Sequence, residues 1–270
     1  MSTFDNGIPL GNLPIMTEDA TAKNDELVIV DKTAQQTKKI TLDALALAIQ
    51  NRLGVEIAGF EYDTSTASPA AVPGGVEPPL VTSIHKRIRA CLLAPDGAVN
   101  YYLNPSDWSQ KLGGGNSDLT GKDGNVMIEI PYFHYREDVD GAVRTPQISD
   151  RAESGFPLHP AFLKDGKEVE YRYYGAYDAC VFSAASAGYI GGLNLDDNSS
   201  RVNLSTDTLA SVSGVYPMVG LTRAQFRQLA ANVGAGWRQV DYDLVAAIQL
   251  LYAIEYQTFF SQKVLGDGNT

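Results

Sequence analysis

Cysteine, histidine and positive charge are scarce in this sequence, and it has no long apolar run. The histidines are three, His85, His134 and His159. No two stand at i, i+4 and none lies beside a second ligand type at metal spacing, so zinc catalysis has no support and neither metal nor cofactor is expected. His159, between prolines in PLHPAF, reads as a structural turn residue. The two cysteines, Cys91 in RIRACLL and Cys180 in YDACVF, sit among apolar neighbours and far apart, which predicts two buried thiols made in a reducing cytoplasm, with a disulfide as the alternative. Neither occupies a nucleophile motif, and no G-x-S-x-G elbow occurs, so acyl transfer is unsupported. No stretch is long enough to span a bilayer, and the acidic first thirty residues lack a basic start and an apolar signal core. With 21 basic against 32 acidic side chains the net charge is −11, which repels phosphate backbones; nucleic acid is not an expected partner.

What is present reads as a folded α+β chain with an apolar share of 44%. Its strongest helical signal runs from Leu221 to Gln262. Thr222 with Gln225 has the form of a capping box, Phe226, Leu229, Ala230 and Val233 recur at helical spacing, and Gly234 is expected to end that helix with a positive φ. Asp241 then caps a longer helix whose stripe carries Leu244, Val245, Ile248, Leu251, Tyr252 and Phe259. Glu255 falls on or beside that stripe and requires a partner if buried, with Arg223, Arg227 and Arg238 as candidates.

Composition divides the rest. Residues 1–57 open with a Gly-, Pro- and Asn-rich extended segment, followed by a strand at Glu26–Asp31. A helix capped by Thr41 comes next, with Leu42, Leu45, Ile49 and Leu53 on a narrow stripe that copies of itself could bury. Residues 58–79, rich in Pro, Gly, Ser and Thr, read as a linker, and residues 80–270 as the domain proper.

Within the domain PDG turns one strand into AVNYYL, and LGGGNSDLTGKDGN is a loop lacking the Lys-Ser/Thr ending of a phosphate cradle. NVMIEIPYFHYRE alternates, with Val126, Ile128 and Ile130 on one side, Met127 and Glu129 on the other, and Pro131 marking an edge or bulge. Residues 137–155 read as a polar surface excursion, and residues 183–215 as a long irregular loop of the kind that carries function.

Several strings then occur in a fixed order: IHKRIRACLLAPDGAVNYYLNP, LTGKDGNVMIEIPYFHY, GFPLHPAF, YYGAYDA and SVSGVYPMVGLTRAQFRQLAANVGAGWRQVDYDLVAAIQLLYAIEY. This order, across roughly residues 84–268, resembles a family of tail-fibre and receptor-binding proteins of tailed bacteriophages. That family is similar in turn to C-type-lectin-like and formylglycine-generating-enzyme-like folds, a small twisted antiparallel sheet with two helices and long loops. GNLPIMTEDATAKNDELVIVDKTAQQTKKITLDAL resembles the particle-attachment end of phage fibres, usually trimeric. Family members commonly continue past an NSQ-like and a G-x-G string, whereas here Ser261, Gln262 and Gly266–Gly268 are followed only by Asn269 and Thr270; on that pattern a C-terminal section is missing or the domain is shortened.

The resemblance implies a virion tail protein, made in the host cytoplasm. Residues 1–57 would anchor a homotrimer to other tail proteins through Leu42, Leu45, Ile49 and Leu53, and the globular part would touch a host-surface glycan or protein. Tyr189, Asn194, Asp196, Asp197 and Asn198 are the expected contact residues, with no catalytic residue and no membrane insertion. One alternative is a structural collar or baseplate adaptor that touches only virion proteins; another is a glycan-degrading tail enzyme, for which Glu255 is the only feature.

Overall fold

The computed structural model describes residues 56–67, 72, 74–192 and 197–266, together with the backbone of two strands at 26–31 and 36–41. The chain divides into two units, residues 1–55 and 56–270. In the first, β1 (Glu26–Asp31) pairs antiparallel with β2 (Gln36–Thr41). The first strand stands where ELVIVD predicted it. Thr41, expected to cap a helix, closes β2 instead, and Leu42, Leu45, Ile49 and Leu53 lie outside the described residues.

The second unit is mixed α+β with antiparallel sheets. Two short strands, β3 (Ile57–Gly59) and β4 (Tyr62–Asp63), lead to a single helical turn, α1 (Ser83–Lys86). Then come β5 (Arg89–Leu93), β6 (Val99–Asn104), β7 (Asp107–Lys111), β8 (Asn125–Pro131), β9 (His134–Asp140) and β10 (Val143–Ser149). A small hairpin of β11 (Leu163–Lys164) and β12 (Lys167–Glu168) precedes β13 (Tyr171–Gly175). The strands β14 (Cys180–Ser183), β15 (Gly188–Ile190) and β16 (Thr208–Ala210) are followed by α2 (Arg223–Ala231), α3 (Tyr242–Tyr256) and α4 (Ser261–Leu265).

The largest sheet has the order β13-β8-β5-β6-β7, so β8 is an interior strand. Pro131 therefore marks no edge; it is the last residue of β8, where a missing amide disturbs the ladder least. The predicted alternation of β8 holds. Val126 packs with Leu92 and Leu103, Ile130 joins the main core, and Met127 faces Cys91 and Leu93 on the opposite side.

The main core lies where α3 meets β8, β10 and the 3-10 turn Pro160–Phe162, with Phe133, Phe162, Ile148 and Ile254 all at 0% exposure. Leu244, Ala247, Leu251 and Ile254 recur at helical spacing and form the buried face of α3. The helix is shorter than its pattern suggested. Gln257 takes a left-handed conformation (φ 52°) and ends it, so Phe259 is outside the helix, its ring set edge-on against Phe60 and Tyr62.

The expected linker is packed chain over its described residues. Phe60 is 5% exposed in the main core, and β3 and β4 pair with β10. Further along, Val72, Val76 and Leu80 donate their amides to the carbonyls of Gln257, Tyr256 and Glu255 at 3.1, 3.0 and 2.8 Å. Helix-end carbonyls lack intrahelical donors, and a strap too small-sided to build a core can supply them from its backbone. The surface excursion expected at 137–155 is the paired hairpin β9–β10, turned by Asp140–Gly141. The long loop expected at 183–215 contains β15 and β16, which flank β14 in a three-stranded sheet.

Candidate functional site

Two polar constellations stand out in the second unit, one centred on a buried carboxylate and one open. The first centres on Glu129, 1% exposed on β8, with the Arg89 side chain partly in solvent. Its Oε1 accepts from Nε and Nη2 of Arg89 on the paired strand β5, at 3.2 and 2.6 Å. Its Oε2 accepts from the hydroxyls of Tyr102 on β6 and Tyr173 on β13, each at 3.0 Å. The Arg89 guanidinium lies 3.8 Å from the centre of the Tyr102 ring. Burial and the bond to Glu129 push both tyrosine hydroxyls above their ordinary range. A carboxylate holding four donors has no oxygen left for a substrate, so this cluster ties four strands together at one point.

The carboxylate singled out by its helical position, Glu255, is one-quarter exposed and lies 4.0 Å from His85 Nε2; none of the three candidate arginines is its partner. His85 is already engaged. Nδ1 accepts from the Thr82 amide at 3.2 Å, which leaves Nε2 to donate to the Leu251 carbonyl at 3.0 Å, and α1 is thereby fixed on α3. His159 is the structural residue its prolines suggested. It is 5% exposed, its Nδ1 accepts from the Ala161 amide, and burial lowers its pKa to about 4 despite the nearby Asp243. Asp241 caps α3 through the Leu244 amide, as its position predicted, and also receives Lys164 and Arg172. Burial alone would raise its pKa, but these donors outweigh it and hold the carboxyl at about 2.

The open constellation is a cleft of about 630 Å³ between the β6–β7 end of the large sheet and the three-stranded sheet. Its volume is in the range of small-ligand pockets. Asn100 and Tyr101 reach it from β6, Lys111 from β7, Lys122 and Asp123 from the loop before β8, and Phe182 and Tyr189 from β14 and β15. The framework is firmly bonded. Tyr101 accepts from the Asp118 amide at 3.0 Å and donates to Asp123 at 2.8 Å, while Asn100 donates to the Asp123 carbonyl at 2.7 Å. Gly121, at φ 96°, lets the loop lie against Tyr189, where an added Cβ would come within 1.9 Å of the hydroxyl. Phe182 and Tyr189 pack edge to face with ring centres 5.2 Å apart. The loop string LTGKDGN, which lacks the phosphate-cradle ending, is thus one wall of the cleft.

Of the five expected contact residues, Tyr189 lines this cleft, while Asn194 and Asp196 lie outside the described residues. Asp197 is exposed but accepts from the Ser199 amide in a local turn at 2.8 Å. Asn198 is 4% exposed and departs from the outward position expected for it. Its amide nitrogen donates to the Val219 carbonyl and its backbone amide to Gly220, each at 3.0 Å, so the side chain secures the loop. Asp207, 2% exposed, does the same by accepting from the Ala184 and Asn203 amides. Sequence reasoning missed Asn100, Tyr101, Lys111, Lys122 and Phe182, because strands distant in the chain bring them together and no local spacing marks them.

Among the described residues no group of three or more His, Cys, Asp or Glu side chains is placed to hold a metal ion, and no helix is long and apolar enough to cross a membrane. Both cysteines are free and buried, with burial raising Cys91 to about 12 and Cys180 to about 11. No family model matches this sequence, nor does any curated protein or solved structure.

Proposed function

We propose that the chain is a tail-fibre protein of a bacteriophage virion, anchored by residues 1–57 as a homotrimer and displaying a C-type-lectin-like unit that touches a host-surface glycan or protein. The observation that carries the proposal is the cleft beside Tyr189, with aromatic and polar side chains on a bonded framework in a unit of its own. Recognition sites join apolar faces to a few placed polar groups, and Tyr gives large contact area at small entropic cost. The ordered strings of residues 84–268 supply the second support. Several copies on one fibre would turn weak contacts into firm adhesion, and no catalytic residue is proposed.

An adaptor that touches only virion proteins is the second proposal, favoured by Val240 and Tyr242, exposed at 45% and 82% on neighbouring positions before and at the start of α3. Electron microscopy of particles labelled with gold-conjugated antibody against residues 56–266 separates the two. Gold at the free ends of tail fibres is expected. Gold confined to the collar or baseplate would favour the adaptor, and unlabelled particles would refute both.

A further inference from the structure

We propose that the cleft beside Tyr189 binds an anionic saccharide, with sugar rings against the aromatic wall and acidic substituents at Lys111 and Lys122. The inference rests on the host-attachment proposal and names the chemistry of its ligand. Both lysines line the cleft, where Asp123 is the one carboxylate among the described lining residues, although the chain has an excess of carboxylates. Lys111 is held in place by its position 4.1 Å from the centre of the Tyr101 ring. The carboxylates at hand are held in place by neutral donors and keep their charge. Asp123 accepts from the Tyr101 hydroxyl at 2.8 Å, and Asp118 accepts from the Thr120 amide and hydroxyl at 2.8 and 2.7 Å. The Thr120 bonds and then the charge of Lys122 hold Asp118 below the ordinary carboxylate range, so Lys122 is partly compensated; the cleft lining itself carries two ammonium groups against the single carboxylate of Asp123, and an external anion can match that excess.

The aromatic wall says what else the ligand carries. Phe182 and Tyr189 are half-buried, so each offers part of a ring to the cleft, and a small inorganic anion would leave that apolar surface in water. A pyranose ring with an apolar C–H face and an acidic substituent satisfies both the rings and the lysines. Lysine is a point charge without the planar fork of arginine, so carboxylate and phosphate substituents are both accommodated. The net charge of −11 does not forbid an acidic ligand, because at physiological salt charges more than about 8 Å away are largely screened while those at the cleft are not.

The experiment uses the full chain and a panel of purified bacterial capsular polysaccharides, some bearing uronate, some phosphate and some neutral. Each uronate polymer is also tested after carboxyl reduction, and adhesion to intact bacteria is measured in parallel. Binding is expected only to acidic polymers, lost on carboxyl reduction where uronate supplies the charge and retained by phosphate-bearing ones where phosphate does. The double variant Lys111→Met, Lys122→Met keeps the side-chain stems; it should bind about tenfold more weakly with an unchanged thermal midpoint. Equal binding of neutral polymers, or parental affinity in the double variant, would overturn the inference and leave host attachment standing. Adhesion to neither polysaccharide nor intact bacteria would overturn both.

Discussion

Replacing Glu129 by Gln keeps the shape of the side chain and removes the charge that Arg89, Tyr102 and Tyr173 are arranged around. Glu129 is buried while Arg89 is 40% exposed and can be hydrated in part, so losing the charge should cost about 1–3 kcal/mol, and urea unfolding of the Glu129→Gln variant should show a loss of that size. A loss under about 0.5 kcal/mol would mean that the cluster does not tie the sheet. His159 gives a prediction in pH. Its pKa in the fold, about 4, is below the ordinary value of 6.5, so between those limits the unfolded chain binds the proton and the folded one does not. Stability should therefore fall as pH drops from 6.5 to 4, by roughly 3 kcal/mol. His159→Asn keeps a capping acceptor for Ala161 without titrating, and its urea midpoint should lose that part of the pH dependence. Asp241 leaves this window clear: with its pKa lowered to about 2 from 3.8, its contribution fades only below that ordinary value. Neither Glu129 nor Asn198 announces its burial in sequence. Alternation assigned Glu129 a face, but only strand pairing puts Arg89 opposite, and a polar run around Asn198 reads as exposed until Val219 and Gly220 are placed beside it.

Local chemistry made the element starts legible. The Thr222 capping box and the Asp241 cap stand where the sequence placed them, because each is decided within four residues. Element ends were harder to read. α2 finishes at Ala231, and Gly234, expected to take the positive φ, instead has its Cα pressed toward the Pro95 carbonyl, where a Cβ would lie 2.3 Å from the oxygen; the left-handed residue is Gly236 at φ 88°. The two glycines therefore predict different outcomes. Gly236→Ala meets no neighbour and should cost about 1 kcal/mol, the left-handed penalty alone, whereas Gly234→Ala must displace backbone and should cost about 2–3 kcal/mol. Equal thermal shifts in the two variants would contradict this packing. The end of α3 was illegible for another reason: its last carbonyls are met by amides of Val72, Val76 and Leu80, more than 170 residues earlier in the chain, and a composition of Pro, Gly and small residues carries no sign of that task.

At the scale of the whole molecule, the α+β class was readable from the alternation of strands with two capped helices. The cleft was not, apart from Tyr189, because it is assembled from six strands and several loop residues spread between residues 94 and 233. The homotrimer that the resemblance implies, buried through the stripe of Leu42, Leu45, Ile49 and Leu53, should give three chains per particle in light scattering, reduced to one by Leu45→Asp with Ile49→Asp; a monomeric parent chain would remove the fibre argument from the N-terminal unit. The central claim is that the cleft-bearing face meets the host, and obstruction of the cleft tests it directly. Asn100 is exposed at the rim, whereas both native thiols are buried with raised pKa values, so in this chain a bulky maleimide would react with Asn100→Cys alone. The adsorption rate of virions carrying Asn100→Cys is then measured before and after labelling, with labelled parental virions as the control. The account predicts a fall of about tenfold or more on labelling the variant only; labelled variant virions that adsorb at the parental rate would contradict it.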